Sequence, residues 1–170
     1  MICGAELRAR EASARAVLAN VPDPELPALS LQDLGILREV RCDEAGTVHV
    51  VLTPTYSGCP ATEVITQSVH DALDAAGLGP AQVSHRLAPA WTTDWISDIG
   101  KSKLLAYGIA PPGPALASDF ALLRFHPRRL ACPRCGSLDT ERLAAFGSTA
   151  CKALHRCLAC REPFEHFKPI

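Results

Sequence analysis

The sequence predicts an α/β (α+β) fold, in which a small mixed-sheet sandwich precedes a compact C-terminal module of short strands. Three observations lead to this prediction. Helical and strand-like patterns alternate in the order α-β-β-α-β-α through residues 1–107, which is typical of helices packed on one face of a sheet. A stretch rich in proline and glycine follows at 108–119. Beyond it, residues 120–170 form short runs rich in cysteine, arginine and phenylalanine. We therefore predict two domains joined by a linker at 108–119.

The first elements follow from apolar spacing and turn residues. An apolar stripe predicts a helix over 5–20, and three prolines in VPDPELP then exclude a helix. Strands are predicted at 36–42 and 48–53, because alternate residues are apolar, with a hairpin turn at 43–46 between them.

The remaining elements include the strongest pattern in the chain. Apolar residues repeat at helical spacing over 61–76, and Gly77 supplies the stop signal. A short strand is predicted at 81–87, and residues 91–107 are predicted to be irregular and then helical. The C-terminal module is predicted to contain strands at 140–146, 151–156 and 163–168.

Charge is unevenly distributed along the chain, although the net charge is only −1. Residues 1–119 carry 14 acids and 8 bases, whereas residues 120–170 carry 4 acids and 9 bases. The asymmetry indicates either two units with different partners or two halves that attract each other. No apolar run approaches the roughly 20 residues of a membrane helix, and the N-terminus resembles no export signal, which predicts a cytoplasmic protein without membrane association.

The C-terminal cysteines have the spacing of a metal site. Two C-x-x-C pairs are separated by 21 residues, and four thiolates at this spacing suit the tetrahedral coordination of Zn²⁺. This pattern predicts a zinc ribbon whose metal stabilises the fold, since four thiolates leave no open position for catalysis. Iron or an iron–sulfur cluster remains the alternative. The predicted ligands are Cys132, Cys135, Cys157 and Cys160.

Cys151 is a further thiol in the same module. Its neighbour Lys152 would lower the pKa of a nearby thiol, which makes Cys151 a candidate additional reactive cysteine. The alternative is a small buried residue of a strand.

Cys59 is the candidate reactive cysteine of the N-terminal domain, in the segment TPTYSGCPATEVI. Because proline favours the first position of a helix, Pro60 predicts that Cys59 caps the following helix. Unpaired backbone N–H groups at such a cap would favour the thiolate. An inert buried cysteine is the alternative interpretation.

The loop VPDPELP supplies Asp23 and Glu25, and a second loop supplies Asp33. A carboxylate near a thiolate would raise the pKa of the thiol, so this combination suits metal ligation better than nucleophilic catalysis. The alternative for Asp23 is a local turn cap.

Catalytic motifs are not found in the sequence. It contains no phosphate loop, dinucleotide fingerprint, serine nucleophile elbow or paired E-x-x-H motif, which predicts a non-enzymatic protein with no catalytic residues. The basic C-terminal module offers nucleic-acid binding as a less favoured alternative, because arginine patches more often face solvent or protein. That patch would comprise Arg124, Arg128, Arg129 and Arg134.

Several motifs together resemble a known family. The segments VPDPELPALSLQDLGILREV and LTPTYSGCPATEVI resemble the SufT-like iron–sulfur assembly proteins. With WISDIGKSKLLAYGIAPP and the tail from CPRCG to EHFK, nearly the whole chain resembles the D subunits of bacterial phenylacetyl-CoA epoxidases, the ring-1,2-epoxidases of aerobic phenylacetate degradation.

The resemblance implies an accessory role. It implies a SufT-like domain at 1–107, a ribbon at 120–170, and a maturation factor that assembles or inserts an iron–sulfur or iron centre. Cys59 matches the reactive cysteine, which would hold a transient Fe–S cluster, and Asp23 matches the acid of the D-P-E loop. The implied partners are epoxidase subunits, either the di-iron oxygenase or its [2Fe–2S] reductase. A non-catalytic structural subunit is the alternative, and a homo-oligomer remains open.

Overall fold

A computed structural model describes residues 4–56, 58–113 and 130–170. The chain forms two compact units. The first comprises Met1–Trp91 and Trp95–Ser97, and the second comprises Thr92–Asp94 and Asp98–Ile170. None of the helices in the described ranges is long and apolar enough to cross a membrane.

The first unit contains two helices and a three-stranded mixed sheet. Its strand order is β1-β2-β3, with β1 antiparallel and β3 parallel to β2. This arrangement confirms the predicted mixed sheet. The elements are α1 (Gly4–Leu18), β1 (Leu37–Cys42), β2 (Val48–Leu52), α2 (Thr62–Ala75) and β3 (Ala81–His85).

The core of the first unit follows from the apolar patterns. Alternate residues of β2 are buried, because successive side chains of a strand point to opposite faces. Helix α1 packs against β1 and α2, and α2 packs against β3. Helix α2 contributes Ile65, Val69 and Leu73 to the core at helical spacing.

Arg10 of α1 joins the helix to two distant turns. Its Nε donates to the carbonyl of Gly46 at 3.0 Å, and its Nη2 donates to the carbonyls of Leu78 and Gly79 at 2.8 Å each. One guanidinium therefore donates hydrogen bonds to three carbonyls that lie 36 to 69 residues away in sequence.

We expect Arg10→Met to lower the free energy of unfolding by about 2 kcal/mol, because it removes charge-assisted hydrogen bonds to part-buried carbonyls. The matched control is Arg8→Met on the exposed side of the same helix, which should change stability by less than about 0.5 kcal/mol. Urea titration of both variants measures the difference, and equal midpoints would contradict the assigned role of Arg10.

The second unit is built around a four-stranded sheet of order β4-β7-β6-β5. Strands β5, β6 and β7 are antiparallel neighbours, and β4 is parallel to β7. The three predicted ribbon strands are confirmed. The elements are α3 (Asp98–Ala106), β4 (Ile109–Ala110), β5 (Thr140–Ala144), β6 (Lys152–Cys157) and β7 (Pro163–Phe167).

The predicted linker at 108–119 is only partly described. Ile109 and Ala110 form β4, and residues 114–119 lie outside the described residues. The predicted domain bounds of 1–107 and 120–170 stay a prediction.

Candidate functional site

Four cysteines of the second unit converge in space. Cys132 and Cys135 precede β5, Cys157 ends β6, and Cys160 lies in the turn between β6 and β7. All four Sγ atoms lie within 4.8 Å of one another. The Sγ atoms of Cys132 and Cys160 are 3.8 Å apart, and those of Cys135 and Cys157 are 3.5 Å apart.

Tight backbone turns hold the sulfurs in place. Gly136 adopts a positive φ of 74°, and its N–H donates to the carbonyl of Cys132 at 2.9 Å. The N–H of Arg134 lies 3.4 Å from the Sγ of Cys132, and the N–H of Cys160 lies 3.5 Å from the Sγ of Cys157. The second contact lowers the pKa of the Cys157 thiol to about 7. At Cys157 the backbone donor thus favours the thiolate, the form that binds metal.

The spacing of the sulfurs fits a single tetrahedral ion. With Zn–S bonds of about 2.3 Å, the corners of the tetrahedron lie about 3.8 Å apart. The separations of 3.5 and 3.8 Å between the Sγ atoms agree with that value. The four-cysteine site can therefore bind a metal ion.

Burial of the four cysteines is unequal. Cys132 and Cys157 are buried, Cys160 is half-buried and Cys135 is exposed. The two buried cysteines join Ala110 and Phe164 in the hydrophobic cluster of this unit. Two of the four candidate metal ligands are therefore also core residues.

Cys151 does not join the group of metal-ligand candidates found among the described residues. It is 6% exposed and lies just before β6, with the hydroxyl of Thr149 3.0 Å from its Sγ. The ammonium of the neighbouring Lys152 is buried in an ion pair with Glu165 at 2.9 Å. This burial agrees with the small-strand-residue interpretation, and a reactive role for Cys151 stays a prediction.

Cys59 lies in a turn ahead of α2 and does not cap the helix. The predicted helix start is wrong, because α2 begins at Thr62 and its N-cap is Ala61. Instead, the carbonyl of Cys59 accepts hydrogen bonds from the N–H of Thr62 at 3.3 Å and from its hydroxyl at 2.8 Å. These bonds form a separate turn over 59–62, so the helix begins only at Thr62.

The electrostatic surroundings of Cys59 also differ from the prediction of a stabilised thiolate. Burial raises the pKa of the Cys59 thiol, and the negative charges of Glu25 and Asp23 raise it further. A hydrogen bond from the backbone of Ala61 opposes these effects only in part. The structure thus places the D-P-E loop where its negative charges act on Cys59, and these charges and burial disfavour the thiolate.

The two acidic residues near Cys59, Asp23 and Glu25, differ in their hydrogen bonding. Asp23 is 6% exposed, and its Oδ1 accepts the backbone N–H groups of Glu25 and Leu26 at 2.9 Å each. It therefore caps a local turn, as the alternative interpretation held. Within the described residues, the half-exposed side chain of Glu25 has no hydrogen bond or ion pair. No sequence pattern distinguishes the roles of these two acids.

The other predicted residues have structural partners or lie outside the described residues. Asp33 accepts the N–H of Ser30 at 3.0 Å and donates its own N–H to the hydroxyl of Ser30 at 3.1 Å. Arg134 pairs with Glu162 at 2.8 Å. The remaining members of the predicted arginine patch are not described; they are Arg124, Arg128 and Arg129.

Two family profiles match separate parts of the chain. Residues 11–84 match a family described as "Iron-sulfur cluster assembly protein". Residues 118–168 match a family described as "PaaD zinc beta ribbon domain". The first match contains Cys59 and the D-P-E loop, and the second contains the four cysteines.

Individual relatives agree with these profiles. An Fe-S protein maturation auxiliary factor, YitW of Bacillus subtilis (strain 168), is 35% identical over 51% of this chain and 85% of its own length. A crystal structure of a domain of unknown function, DUF59, from Bacillus anthracis covers 60% of this chain and 97% of its own, with 27% identity and a TM-score of 0.55.

A relative from Escherichia coli (strain K12) that aligns with most of the chain is provisionally named as the D subunit of a 1,2-phenylacetyl-CoA epoxidase. It is 48% identical over 155 residues, which is 91% of this chain and 90% of the relative. The chain therefore belongs to the family of phenylacetyl-CoA epoxidase D subunits, in which an iron–sulfur assembly domain precedes a zinc ribbon.

Proposed function

We propose that this protein is a non-catalytic maturation factor of a phenylacetyl-CoA epoxidase system, and that Cys59 transiently binds the iron or iron–sulfur centre that it delivers. The observation that carries the proposal is the approach of Glu25 and Asp23 to Cys59, in the part of the chain that matches iron–sulfur assembly proteins. The relatives named as a maturation auxiliary factor and as an epoxidase subunit support an accessory role.

The chemistry of this site favours cations over electrophiles. A protonated thiol beside two carboxylates is a weak nucleophile, because the nearby negative charge opposes ionisation. An incoming iron cation reverses that balance, since it neutralises the carboxylates and displaces the thiol proton. Among the described residues, the carboxylate of Glu25 has no hydrogen-bond or ion-pair partner. It can therefore accept this proton or contact the cation.

Such a site suits transfer better than permanent storage. Cys59 and Glu25 provide two side-chain donors, whereas a stable site for a single iron ion normally uses more. A recipient protein with a fuller set of ligands would therefore remove the metal. We propose the di-iron oxygenase or its [2Fe–2S] reductase as the recipient.

We propose zinc as the metal of the four-cysteine site. Its role is structural, because four thiolates complete the tetrahedral coordination of the ion. The zinc ribbon would then hold the C-terminal unit in the shape that contacts a partner subunit.

We expect Cys59→Ser to abolish maturation while leaving the fold intact. Epoxidase subunits would be co-expressed with the wild-type protein, with Cys59→Ser, with Cys42→Ser, or without this protein, and then assayed for iron content and epoxidase activity. Cys42 is the matched control, because it is also half-buried in the first unit and not disulfide-bonded.

With Cys59→Ser, the epoxidase subunits should contain only as much iron as they do in the culture without this protein. With Cys42→Ser, their iron content should match that obtained with the wild type. Full iron content with Cys59→Ser would remove Cys59 from the mechanism. Full iron content and activity in the culture that lacks this protein would reject maturation altogether. A fixed stoichiometric ratio to the active complex would then indicate a structural subunit.

A further inference from the structure

One face of the ribbon sheet contains a groove that the proposed maturation role does not use. Strand register places Arg142 of β5 opposite His155 of β6, and Ala153 of β6 opposite His166 of β7. Lys168 follows His166 by two residues and therefore lies on the same side. These five residues line a cavity of about 930 Å³.

Charge is balanced on the opposite face of the sheet but not in this groove. On the opposite face, Arg156 pairs with Glu141, and Lys152 pairs with Glu165. In the groove, neither Arg142 nor Lys168 forms an ion pair with any carboxylate of the described residues. The ammonium of Lys168 instead donates to the carbonyl of Ala145 at 3.3 Å and lies 4.3 Å from the centre of the Phe146 ring.

Among the described lining residues, Asp139 is the acid. It forms no ion pair with Arg142 or Lys168. Among the described lining residues, two cationic residues thus accompany a single carboxylate. The described lining of the groove therefore carries a net positive charge, in contrast with the paired charges on the other face.

The two histidines add polar groups in fixed positions. Their rings pack edge to face with centroids 5.5 Å apart, and His155 also stacks on Phe164 at 5.7 Å. Both are half-buried, and neither ring forms a hydrogen bond within the described part of the chain. Both rings line the cavity, so their nitrogen atoms are available to a bound ligand or to water.

We propose that this groove binds the di- or triphosphate group of a small organic phosphate, such as a nucleoside diphosphate. A guanidinium donates in a planar fork, an imidazole offers one N–H, and an ammonium offers three. These donors extend across three strands, and neighbouring strands lie about 4.8 Å apart, so the donors span about 10 Å. Linked phosphates offer several acceptor oxygens over such a span, whereas a single carboxylate offers two.

The size of the groove favours a small molecule over a nucleic-acid strand. Small-molecule sites are concave, with volumes of about 300–1,000 Å³ and a few polar groups that converge on the ligand. A nucleic acid would instead require an extended basic surface that follows its backbone.

The test is isothermal titration calorimetry on the full-length, zinc-loaded protein with inorganic pyrophosphate, ADP and adenosine. We expect ADP and pyrophosphate to bind and adenosine not to bind. Arg142→Gln and Lys168→Gln should each weaken ADP binding by about tenfold, the loss expected for one charge-assisted hydrogen bond. The matched control is Arg156→Gln on the opposite face, which should change affinity by less than about twofold.

Zinc content must be equal in all variants, which excludes unfolding as the cause of lost binding. The proposal is overturned if Arg142→Gln and Arg156→Gln bind ADP equally, or if adenosine binds as tightly as ADP. It is also overturned if a single-stranded oligonucleotide or an acidic peptide binds through Arg142 while pyrophosphate does not, because the occupant would then be a macromolecule.

Discussion

Replacing Cys157 with serine is expected to abolish metal binding by the four-cysteine site and to unfold the β5–β6–β7 sheet. Cys157 is fully buried and belongs to a four-member hydrophobic cluster in which Cys132 is a second cysteine. Structural zinc contributes about 10 kcal/mol or more to the folding of small modules, which equals the whole stability of many domains. Loss of the metal therefore leaves too little buried apolar surface to hold these strands together.

The measurement is metal content by elemental analysis, together with NMR resonances of Phe164 and Phe167 on β7. Both sets of resonances should collapse to unfolded positions in Cys157→Ser, and chelation of the wild-type metal should have the same effect. Cys42→Ser is the control and should keep one equivalent of metal. A Cys157→Ser protein with full metal content and native Phe164 resonances would show that the site does not stabilise this unit.

Replacing Gly35 with alanine is expected to destabilise the first unit by about 2–5 kcal/mol. Gly35 adopts a φ of +68°, and an added Cβ would lie 2.6 Å from the carbonyl oxygen of Trp95 and 2.7 Å from its Cβ. The substitution combines left-handed backbone strain of about 1–2 kcal/mol with an overpacking cost of about 1–3 kcal/mol. The neighbouring atoms include backbone and cannot move aside cheaply.

Gly77 provides a matched control with nearly the same backbone conformation. Its φ is +67°, but no atom lies within 4 Å of the position that an added Cβ would take, so Gly77→Ala should cost only about 1–2 kcal/mol. The two tryptophans, Trp91 and Trp95, both belong to the first unit, so their fluorescence during urea unfolding reports on that unit. Equal losses of stability in the two variants would contradict the predicted contact with Trp95.

Secondary structure was predictable where one local pattern was strong. The helical repeat of 61–76 predicted α2 within one residue at each end, and alternation predicted β2. The start of α2 shows the limit of such patterns. Pro60 suits the first position of a helix, but it also suits the turn over 59–62 that the structure contains. Only the tertiary context decides between these two conformations.

The candidate sites show a similar division. The convergence of the four cysteines was predictable, because C-x-x-C spacing is set by the local geometry of metal binding. The electrostatic effect of Glu25 on Cys59 was not predictable, since 34 residues separate them and their proximity depends on how the loops pack. Strand register determines that Lys152 pairs with Glu165 and that Arg142 lies opposite His155. The hydrophobic pattern of these short strands does not specify that register.

The unequal burial of the four metal ligands has a kinetic consequence. Cys157 and Cys132 are shielded, but solvent reaches Cys135 freely. An incoming thiolate or chelator can therefore attack the metal from the side of Cys135 and displace that ligand first, while the other three sulfurs still hold the ion. Tight equilibrium binding of the metal and its rapid associative exchange are then compatible in the same site. An oxidant would reach Cys135 before the other three cysteines.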